Sequence, residues 1–261
     1  MISIRDIYKS FDELEVLSGV SLEIGRGETV VVIGESGCGK TVLLRHIIGL
    51  LKPDKGEILF DGENITGMNE EELNQVRRRF GMLFQGSALF DSMNVFENVA
   101  FALREHTEFS EEKIREIVKQ KLALVGLEGV EDKMPVELSG GMKKRVGLAR
   151  AIVLEPEVIL YDEPTTGLDP VRGDTINELI LKMHHTLKIT TVAVTHDMKS
   201  AYKIADRIAM LHGGKIIAEG PPEEIKNTKD EVVARFIQGR AEELPLGLIS
   251  PKGPKVKEEC G

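Results

Sequence analysis

The stretch Gly34-Glu35-Ser36-Gly37-Cys38-Gly39-Lys40-Thr41 decides the fold of this chain. It follows an apolar run, residues 29–33, that is typical of a buried strand, and it precedes residues 42–48, whose spacing predicts a helix. Glycines let the backbone wrap around an anion, so that its N–H groups and the helix N-terminus attract phosphate. Lys40 can reach the outer phosphates, and the Thr41 hydroxyl can bind a magnesium ion. The stretch therefore predicts a phosphate-binding loop for a nucleoside triphosphate.

Length and composition narrow the class of protein. A chain of 261 residues, 41% hydrophobic and 30% charged, is typical of one large α/β domain. It has no uninterrupted run of about 18 apolar residues, and its N-terminus lacks the apolar core of a signal peptide. Its two cysteines, Cys38 and Cys260, suit a reducing compartment, so we expect a cytoplasmic location. The net charge of −9 argues against nucleic acid as the main partner.

The remaining pattern indicates an α/β fold with two additional parts. Residues 1–33 have the pattern of strands, with alternation through residues 17–24 followed by the apolar run up to Ile33. Residues 57–60 with the turn Asp61-Gly62 predict an antiparallel hairpin. Residues from about 87 to 153 are mostly helical in pattern, and strands and helices alternate again beyond Pro156. We therefore predict a core of parallel strands, an antiparallel β subdomain and an inserted α-helical subdomain.

Helix starts and the chain end are also marked in the sequence. Asn69 and Asn94 each precede a helical pattern with a glutamate three residues later, as in a capping box, and Ser110 is a further helix start. Residues 1–240 are expected to form a single domain. Residues 241–261, rich in proline and glycine, are expected to form an extended tail.

Two acidic residues follow a predicted buried strand, residues 158–161. Asp162 and Glu163 stand where that strand ends, and ligands of open α/β sheets bind at this edge. Asp162 can hold magnesium through water, and Glu163 can polarise a water in line with the γ-phosphate. The alternative is a solvated acidic turn, which a phosphate loop elsewhere in the chain makes less favoured.

Gln85 and His196 also follow strand-like runs. Gln85 is placed to touch both the metal and the attacking water, and His196 ends the run 190–195. Each residue alone is more often a surface, packing or capping residue. Because several strand ends bring polar groups to one edge, we interpret both as members of the site.

A second predicted helix start is suited to an anion. Leu138-Ser139-Gly140-Gly141-Met142 opens a helix that continues to Arg150, with Ser139 as a good N-cap. The two glycines expose backbone N–H groups. The alternative is a glycine-softened helix start without a ligand, but a chain already built for phosphate favours a second anion-binding helix end.

These motifs occur in the order found in ATP-binding cassette (ABC) ATPases, which the chain resembles from about Ser3 to Phe236. The motifs are the phosphate loop, Gln85, Leu138-Ser139-Gly140-Gly141-Met142, Asp162-Glu163, Gly167-Leu168-Asp169 and His196. The resemblance implies a P-loop NTPase core of the RecA-like type, with ATP and Mg²⁺ as cofactors.

The same resemblance implies roles for individual residues. Phe11 is expected to stack on adenine, and Gly34 to Val42 are expected to hold the nucleotide. The residues that it assigns to catalysis are Glu163 as the base, His196 at the γ-phosphate, Gln85 and Lys40. Those that it assigns to the metal are Thr41, Gln85 and Asp162.

A head-to-tail homodimer is a further implication of the resemblance. Each ATP is expected to lie between the phosphate loop of one chain and Ser139, Gly140 and Gly141 of the other, with Asp169 at the interface. Met142 departs from the family, because many relatives carry glutamine there. Methionine cannot donate a hydrogen bond, so the polar contact expected of glutamine is not available here.

Cys38 is a second departure from the family pattern. Lys40 and the helix N-terminus favour its thiolate, which predicts a thiol more reactive than an ordinary buried one and protected by bound ATP. The alternative is a shielded, inert thiol.

Residues 84–95 and 138–145 resemble the Mla-type subgroup, whose separate permease chains work with MCE lipid-binding proteins. The subgroup implies phospholipid or other hydrophobic cargo and a peripheral position at the cytoplasmic face of the inner membrane. One alternative is the ATPase of an amino-acid or phosphate importer. Another is a soluble ABC-type switch in translation or DNA repair, which a single compact cassette argues against.

Two segments are predicted to dock on partners. Leu89, Phe90 and Met93 are expected to line a groove for a permease helix, although they would serve equally well in packing the helical subdomain. The tail from Ala241 contains the apolar segment 244–249, which we expect to dock on a partner chain.

Overall fold

The structure is a computed structural model that describes residues 1–240. The predicted tail, residues 241–261, lies outside the described residues. The strands are β1 (Ile2–Phe11), β2 (Leu14–Ile24), β3 (Thr29–Ile33), β4 (Lys55–Phe60), β5 (Glu63–Asn64), β6 (Phe80–Leu83), β7 (Val158–Asp162), β8 (Thr190–Thr195), β9 (Arg207–His212) and β10 (Lys215–Gly220). The helices are α1 (Lys40–Ile47), α2 (Glu70–Arg77), α3 (Val95–His106), α4 (Glu111–Leu124), α5 (Gly140–Ala151), α6 (Pro170–Leu187), α7 (Met198–Ile204), α8 (Pro222–Lys226) and α9 (Glu231–Ile237). No helix in this part of the chain is long and apolar enough to cross a membrane.

The central sheet has the strand order β10-β9-β3-β8-β7-β6 and is parallel except for β10. Every residue of β3 is buried, and its side chains alternate between two apolar clusters. Val30 and Val32 face one cluster, and Val31 and Ile33 face the other. Both faces of the sheet are therefore covered, which is why β3 is a continuous apolar run in the sequence.

The antiparallel part of the fold covers one face of that sheet. Its strands have the order β2-β1-β4-β5, and their apolar side chains share a cluster with α1. The turn between β4 and β5 places Asp61 and Gly62 at positive φ, 51° and 88°, as a type I′ hairpin requires. The predicted antiparallel subdomain and its turn are confirmed.

The helical subdomain lies between β6 and β7 in the chain and consists mainly of α3, α4 and α5. Asn94 and Glu97 form the predicted capping box of α3, and the Ser110 hydroxyl caps α4. The helical pattern is predicted from about residue 87, but the first helix of the subdomain, α3, begins at Val95. Ser87 and Ala88 have a left-handed backbone, which a right-handed helix does not tolerate. The α/β fold class with an inserted helical subdomain is confirmed.

The sequence analysis did not predict the last elements of the domain. Strand β9 pairs in parallel with β3, and β10 returns antiparallel beside β9. Strand β9 extends the nucleotide-binding sheet beyond β3, so the phosphate loop leaves an interior strand. Helix α2 has the predicted capping box of Asn69 and Glu72 and ends at Arg77.

Gly81 sets the spacing between the central sheet and α5. A Cβ atom at this position would lie 2.2 Å from the carbonyl oxygen of Ala151, which is backbone and cannot move aside. We expect Gly81→Ala to lower the free energy of unfolding by about 1–3 kcal/mol, as overpacking does elsewhere. Urea unfolding followed by circular dichroism measures this change.

Gly67→Ala is the matched control, because a Cβ atom there would meet no atom within 4 Å. We expect its free energy of unfolding to stay within about 0.5 kcal/mol of the wild type. Equal stability of the two variants would contradict the close contact between β6 and α5.

Candidate functional site

A cleft of about 350 Å³ opens at the carboxyl ends of the central parallel strands. This is the edge at which open α/β sheets bind ligands. The lining residues are Phe11, Val16, Ser36, Gly37, Gly39, Lys40, Thr41, Val42, Gln85, Glu163 and His196. The structure thus brings most of the predicted nucleotide-binding and catalytic residues into one cavity.

The phosphate loop encloses its own cation. Lys40 is buried, and its ammonium group donates hydrogen bonds of 2.8 Å to the carbonyl oxygens of Gly34 and Glu35. Gly39 has a φ of 102°, and a Cβ atom there would lie 2.9 Å from Cγ1 of Val16. Only glycine fits such a position without strain. The loop is therefore ordered around a positive charge, as an anion-binding loop needs to be.

Thr41 lines the cleft, and Asp162 lies buried beside it; together they offer oxygen atoms suited to a divalent cation. The Thr41 hydroxyl donates a 2.8 Å hydrogen bond to Oδ1 of Asp162. Burial raises the pKa of Asp162, and the hydrogen bond from Thr41 opposes that rise. Within residues 1–240, no cluster of three or more His, Cys, Asp or Glu side chains is able to hold a metal by itself. These hard oxygen donors fit Mg²⁺ that also takes oxygens from substrate phosphates.

Glu163 is held in a conformation that is unusual for a non-glycine residue. It is 7% exposed and has a φ of 49°, in the left-handed region. Its carboxylate accepts hydrogen bonds from the hydroxyls of Thr166 (3.1 Å) and Thr195 (3.2 Å) and lies 3.0 Å from Nδ1 of His196. The Lys40 ammonium is 3.9 Å away. Strain of this kind concentrates at functional sites, and here it aims a carboxylate into the cleft.

Gln85 and Phe11 lie at the open side of the cleft. Gln85 is exposed in the loop after β6, and Phe11 is exposed at the end of β1. The Lys9 ammonium lies 5.5 Å from the centre of the Phe11 ring. An exposed aromatic ring beside a phosphate loop offers a stacking surface for a base.

Seven predicted nucleotide-binding residues do not line this cleft. Three belong to the phosphate loop itself, Gly34, Glu35 and Cys38. The other four, Ser139, Gly140, Gly141 and Asp169, lie at the starts of α5 and α6. The two helix starts adjoin each other, since a Cβ atom on Gly140 would lie 3.6 Å from the side chain of Leu168. Within one chain, the start of α5 therefore lies apart from the cleft that contains the phosphate loop.

Asp169 has a local role that the sequence analysis missed. Its carboxylate accepts hydrogen bonds from the backbone N–H groups of Val171 and Arg172 and so caps α6. Aspartate directly before Pro170 was the available signal, because proline at the first helical position commonly follows such a cap. Ser139 caps α5 as predicted, accepting from the Met142 N–H at 3.4 Å.

The expected lowering of the Cys38 pKa is wrong. The Cys38 side chain packs against an apolar cluster and does not line the cleft. Burial raises the pKa of the thiol and outweighs the nearby Lys40 ammonium. The sequence placed both groups in one loop but did not reveal that the half-buried thiol packs against an apolar cluster. The alternative of a shielded thiol is favoured.

A second concave surface, the Phe90 groove, lies where β6 meets the helical subdomain. Phe90 is 43% exposed and stacks at 5.2 Å on Phe101, and both line a groove of about 720 Å³. Leu89 instead packs against the core of the helical subdomain, and Met93 is not among the lining residues. Of the three residues predicted to line a groove, only Phe90 does so.

The comparisons with known proteins agree with this geometry. The ABC transporter family model matches residues 17–166. The chain is 41% identical to the intermembrane phospholipid transport system ATP-binding protein MlaF of Haemophilus influenzae, over 99% of this chain and 97% of MlaF. It is 45% identical to the probable ribonucleotide transport ATP-binding protein mkl of Mycobacterium tuberculosis, over 99% of this chain and 72% of mkl. The chain therefore belongs to the ABC transporter family and is an ATP-binding, ATP-hydrolysing subunit.

A solved structure supports the same fold. The ATP-binding cassette MJ0796, determined as a dimer in a post-hydrolysis state bound to ADP and Pi, superposes with a TM-score of 0.79. It is 33% identical to this chain, and the superposition covers 85% of this chain and 99% of that one.

Proposed function

We propose that this chain powers a separate permease that moves phospholipid between the membranes of a bacterial envelope, from the cytoplasmic face of the inner membrane. The observation that carries the proposal is the near full-length likeness to MlaF, combined with a cleft that contains all four residues proposed for catalysis, Gln85, Lys40, Glu163 and His196. The mkl match leaves more than a quarter of that protein uncovered. An MCE lipid-binding protein is the expected further partner, and no observation favours an amino-acid or phosphate importer.

The geometry of the cleft suits in-line hydrolysis of ATP. Glu163 acts as the general base for water, and its hydrogen bonds to Thr166 and Thr195 fix the direction of the carboxylate. His196 lies within hydrogen-bond reach of Glu163 and positions the γ-phosphate. Lys40 neutralises phosphate charge. Thr41, Asp162 and Gln85 are the residues that would hold Mg²⁺, which when bound neutralises charge on the β- and γ-phosphates.

Two copies of the chain complete each site in this proposal. The start of α5, with Ser139, Gly140 and Gly141, lies outside the cleft of its own chain and presents backbone N–H groups at a helix N-terminus. A head-to-tail dimer places this helix start on the phosphates bound by the partner, with Asp169 near the interface. The dimeric MJ0796 cassette supports this arrangement by analogy.

The proposed catalytic roles predict different defects for two variants. We expect Glu163→Gln to bind ATP and dimerise but to hydrolyse it roughly 10²–10⁴-fold more slowly, because a general base is lost. We expect Lys40→Ala to lose roughly 10²–10³-fold in kcat, because a preorganised cation is lost. Steady-state phosphate release and size-exclusion chromatography with ATP measure these effects. Wild-type turnover by Glu163→Gln would show that the base is assigned wrongly.

The Phe90 groove is the proposed docking site for a helix of the permease. Its lining includes the apolar residues Met82, Phe84 and Phe101 and the cations Arg77 and Arg78. Arg77 is held by Glu70, while Phe90 is exposed. An apolar helix with an acidic residue near its end matches this charge and shape.

We expect Phe90→Asp to abolish ATP-driven transport while ATP affinity and folding persist, because a charge in the groove disfavours an apolar helix. Co-purification with the permease and transport by the reconstituted complex measure the loss. Phe109→Asp is the control, because Phe109 is similarly exposed but lies outside the groove. If both variants retain the permease equally, the groove is not the docking site.

The cargo is tested with the complex purified from its native membrane in detergent. After reconstitution, we expect ATP to drive transfer of fluorescent phospholipid between proteoliposomes and acceptor particles, and Glu163→Gln to stop it. Uptake of labelled ribonucleotide into the same vesicles is the comparison suggested by mkl. ATP-dependent ribonucleotide uptake without phospholipid transfer would overturn the proposed cargo.

A further inference from the structure

Lys144 is a buried lysine that no part of the proposed mechanism uses. It lies on α5, is 4% exposed, and does not line the cleft. Its ammonium group donates hydrogen bonds to the carbonyl oxygens of Gln85 and of Glu163, the latter at 3.2 Å. Burying an ammonium group is costly unless its N–H donors have acceptors, and these two carbonyl oxygens are the acceptors that allow Lys144 to be buried.

Both carbonyls belong to residues whose side chains line the cleft. The backbone of Glu163 is fixed from two sides, because its N–H donates to the carbonyl of Val194 at 3.0 Å and its carbonyl accepts from Lys144. These bonds stabilise the left-handed conformation at Glu163, which is sparsely populated for a residue other than glycine. Lys144 thereby helps to set the direction of the Glu163 carboxylate.

The loop after Gln85 is held by the same helix. Arg150, also on α5, donates to the carbonyl oxygens of Ser87 (2.8 Å) and Ala88 (2.7 Å), two consecutive residues with positive φ. Gly147, between Lys144 and Arg150 on α5, lets the helix approach β6 closely, because a Cβ atom at this position would lie 2.9 Å from the side chain of Leu83. Lys144 and Arg150 of α5 therefore hold the backbone of the loop. Of these two side chains, only Lys144 also donates a hydrogen bond to Glu163.

We propose that Lys144 is a positioning residue for ATP hydrolysis, which ties the start of α5 to the loop of Gln85 and to Glu163. This inference rests on the roles proposed above for Gln85 and Glu163. Lys144 lies five residues after Ser139, little more than one helical turn. When the start of α5 shifts on contact with the ATP site of a second chain, Lys144 therefore transmits that shift to both Gln85 and Glu163.

Removing the ammonium group tests this role in the full-length chain. In Lys144→Met, which keeps the length of the side chain but donates nothing, we expect kcat for ATP hydrolysis to fall roughly 10–100-fold. The Kd for a fluorescent ATP analogue and its stoichiometry should stay within about two-fold of wild type, because Lys144 does not line the cleft. Lys144→Gln, which retains a neutral donor, should give an intermediate kcat with the same Kd.

Lys143→Met is the matched control, since Lys143 is the preceding residue of α5 and donates no side-chain hydrogen bond within residues 1–240. Its kcat should equal that of the wild type. Glu163→Gln is measured alongside. If Glu163→Gln is inactive and Lys144→Met turns over at the wild-type rate, the role of Lys144 is overturned while the catalytic base stands. If Glu163→Gln remains active, the proposed site itself is wrong.

A purely structural role for Lys144 has a different signature. It would lower the melting temperature and the ATP-binding stoichiometry together, and the kcat per bound ATP would be unchanged; this result also overturns the proposal. If Lys144→Met does not fold, the same criterion is applied to Lys144→Gln. A lower kcat per bound ATP in that variant, with an unchanged Kd, supports the positioning role.

Discussion

The enclosure of β3 is the constraint on which the rest of the structure depends. Its side chains are buried on both faces of the sheet, and β9 and β8 pair with its two edges. Only the end of such a strand is open, and there the phosphate loop turns directly into α1. The Lys40 ammonium, the loop N–H groups and the α1 N-terminus are thereby fixed in a rigid frame before any nucleotide binds. Preorganisation of this kind reduces the reorganisation required when phosphate charge is bound or transferred.

The parallel strands β7 and β8 position Glu163 and His196 at the same edge of the sheet. Glu163 follows β7 and His196 follows β8, so two adjacent strand ends place a carboxylate and an imidazole within hydrogen-bond distance of each other. The left-handed backbone at Glu163 is tolerated because threonine hydroxyls, the Val194 carbonyl and the Lys144 ammonium all bind it in that conformation. The cleft therefore combines a rigid phosphate loop with a Glu163 carboxylate whose orientation depends on contacts from other elements.

Helix α5 connects the parts of the molecule that act at a distance. Its start is the half-site that lies outside the cleft, its middle holds the Gln85 loop and Glu163 through Lys144, and its end adjoins the Phe90 groove through Arg150. A rigid helix transmits displacement along its length. An ATP site, a second chain and a permease bound at these three places would be mechanically linked through this one element, consistent with the ABC transporter family to which the chain belongs.

The sequence by itself determined the features that depend on residue type within a short span. These are the glycine-rich phosphate loop after an apolar strand, the caps at Asn69 and Asn94, and the acidic pair at the end of β7. Each follows from local backbone chemistry, so each could be predicted from a few neighbouring residues. Tertiary structure alone decided that Cys38 packs against an apolar cluster, that Phe90 is exposed while Leu89 is packed, and that Lys144 reaches Glu163. In the sequence Lys144 is one of three consecutive basic residues, and only the packing of α5 against distant strand ends distinguishes it, because burial and hydrogen-bond partners are set by neighbours remote in the chain.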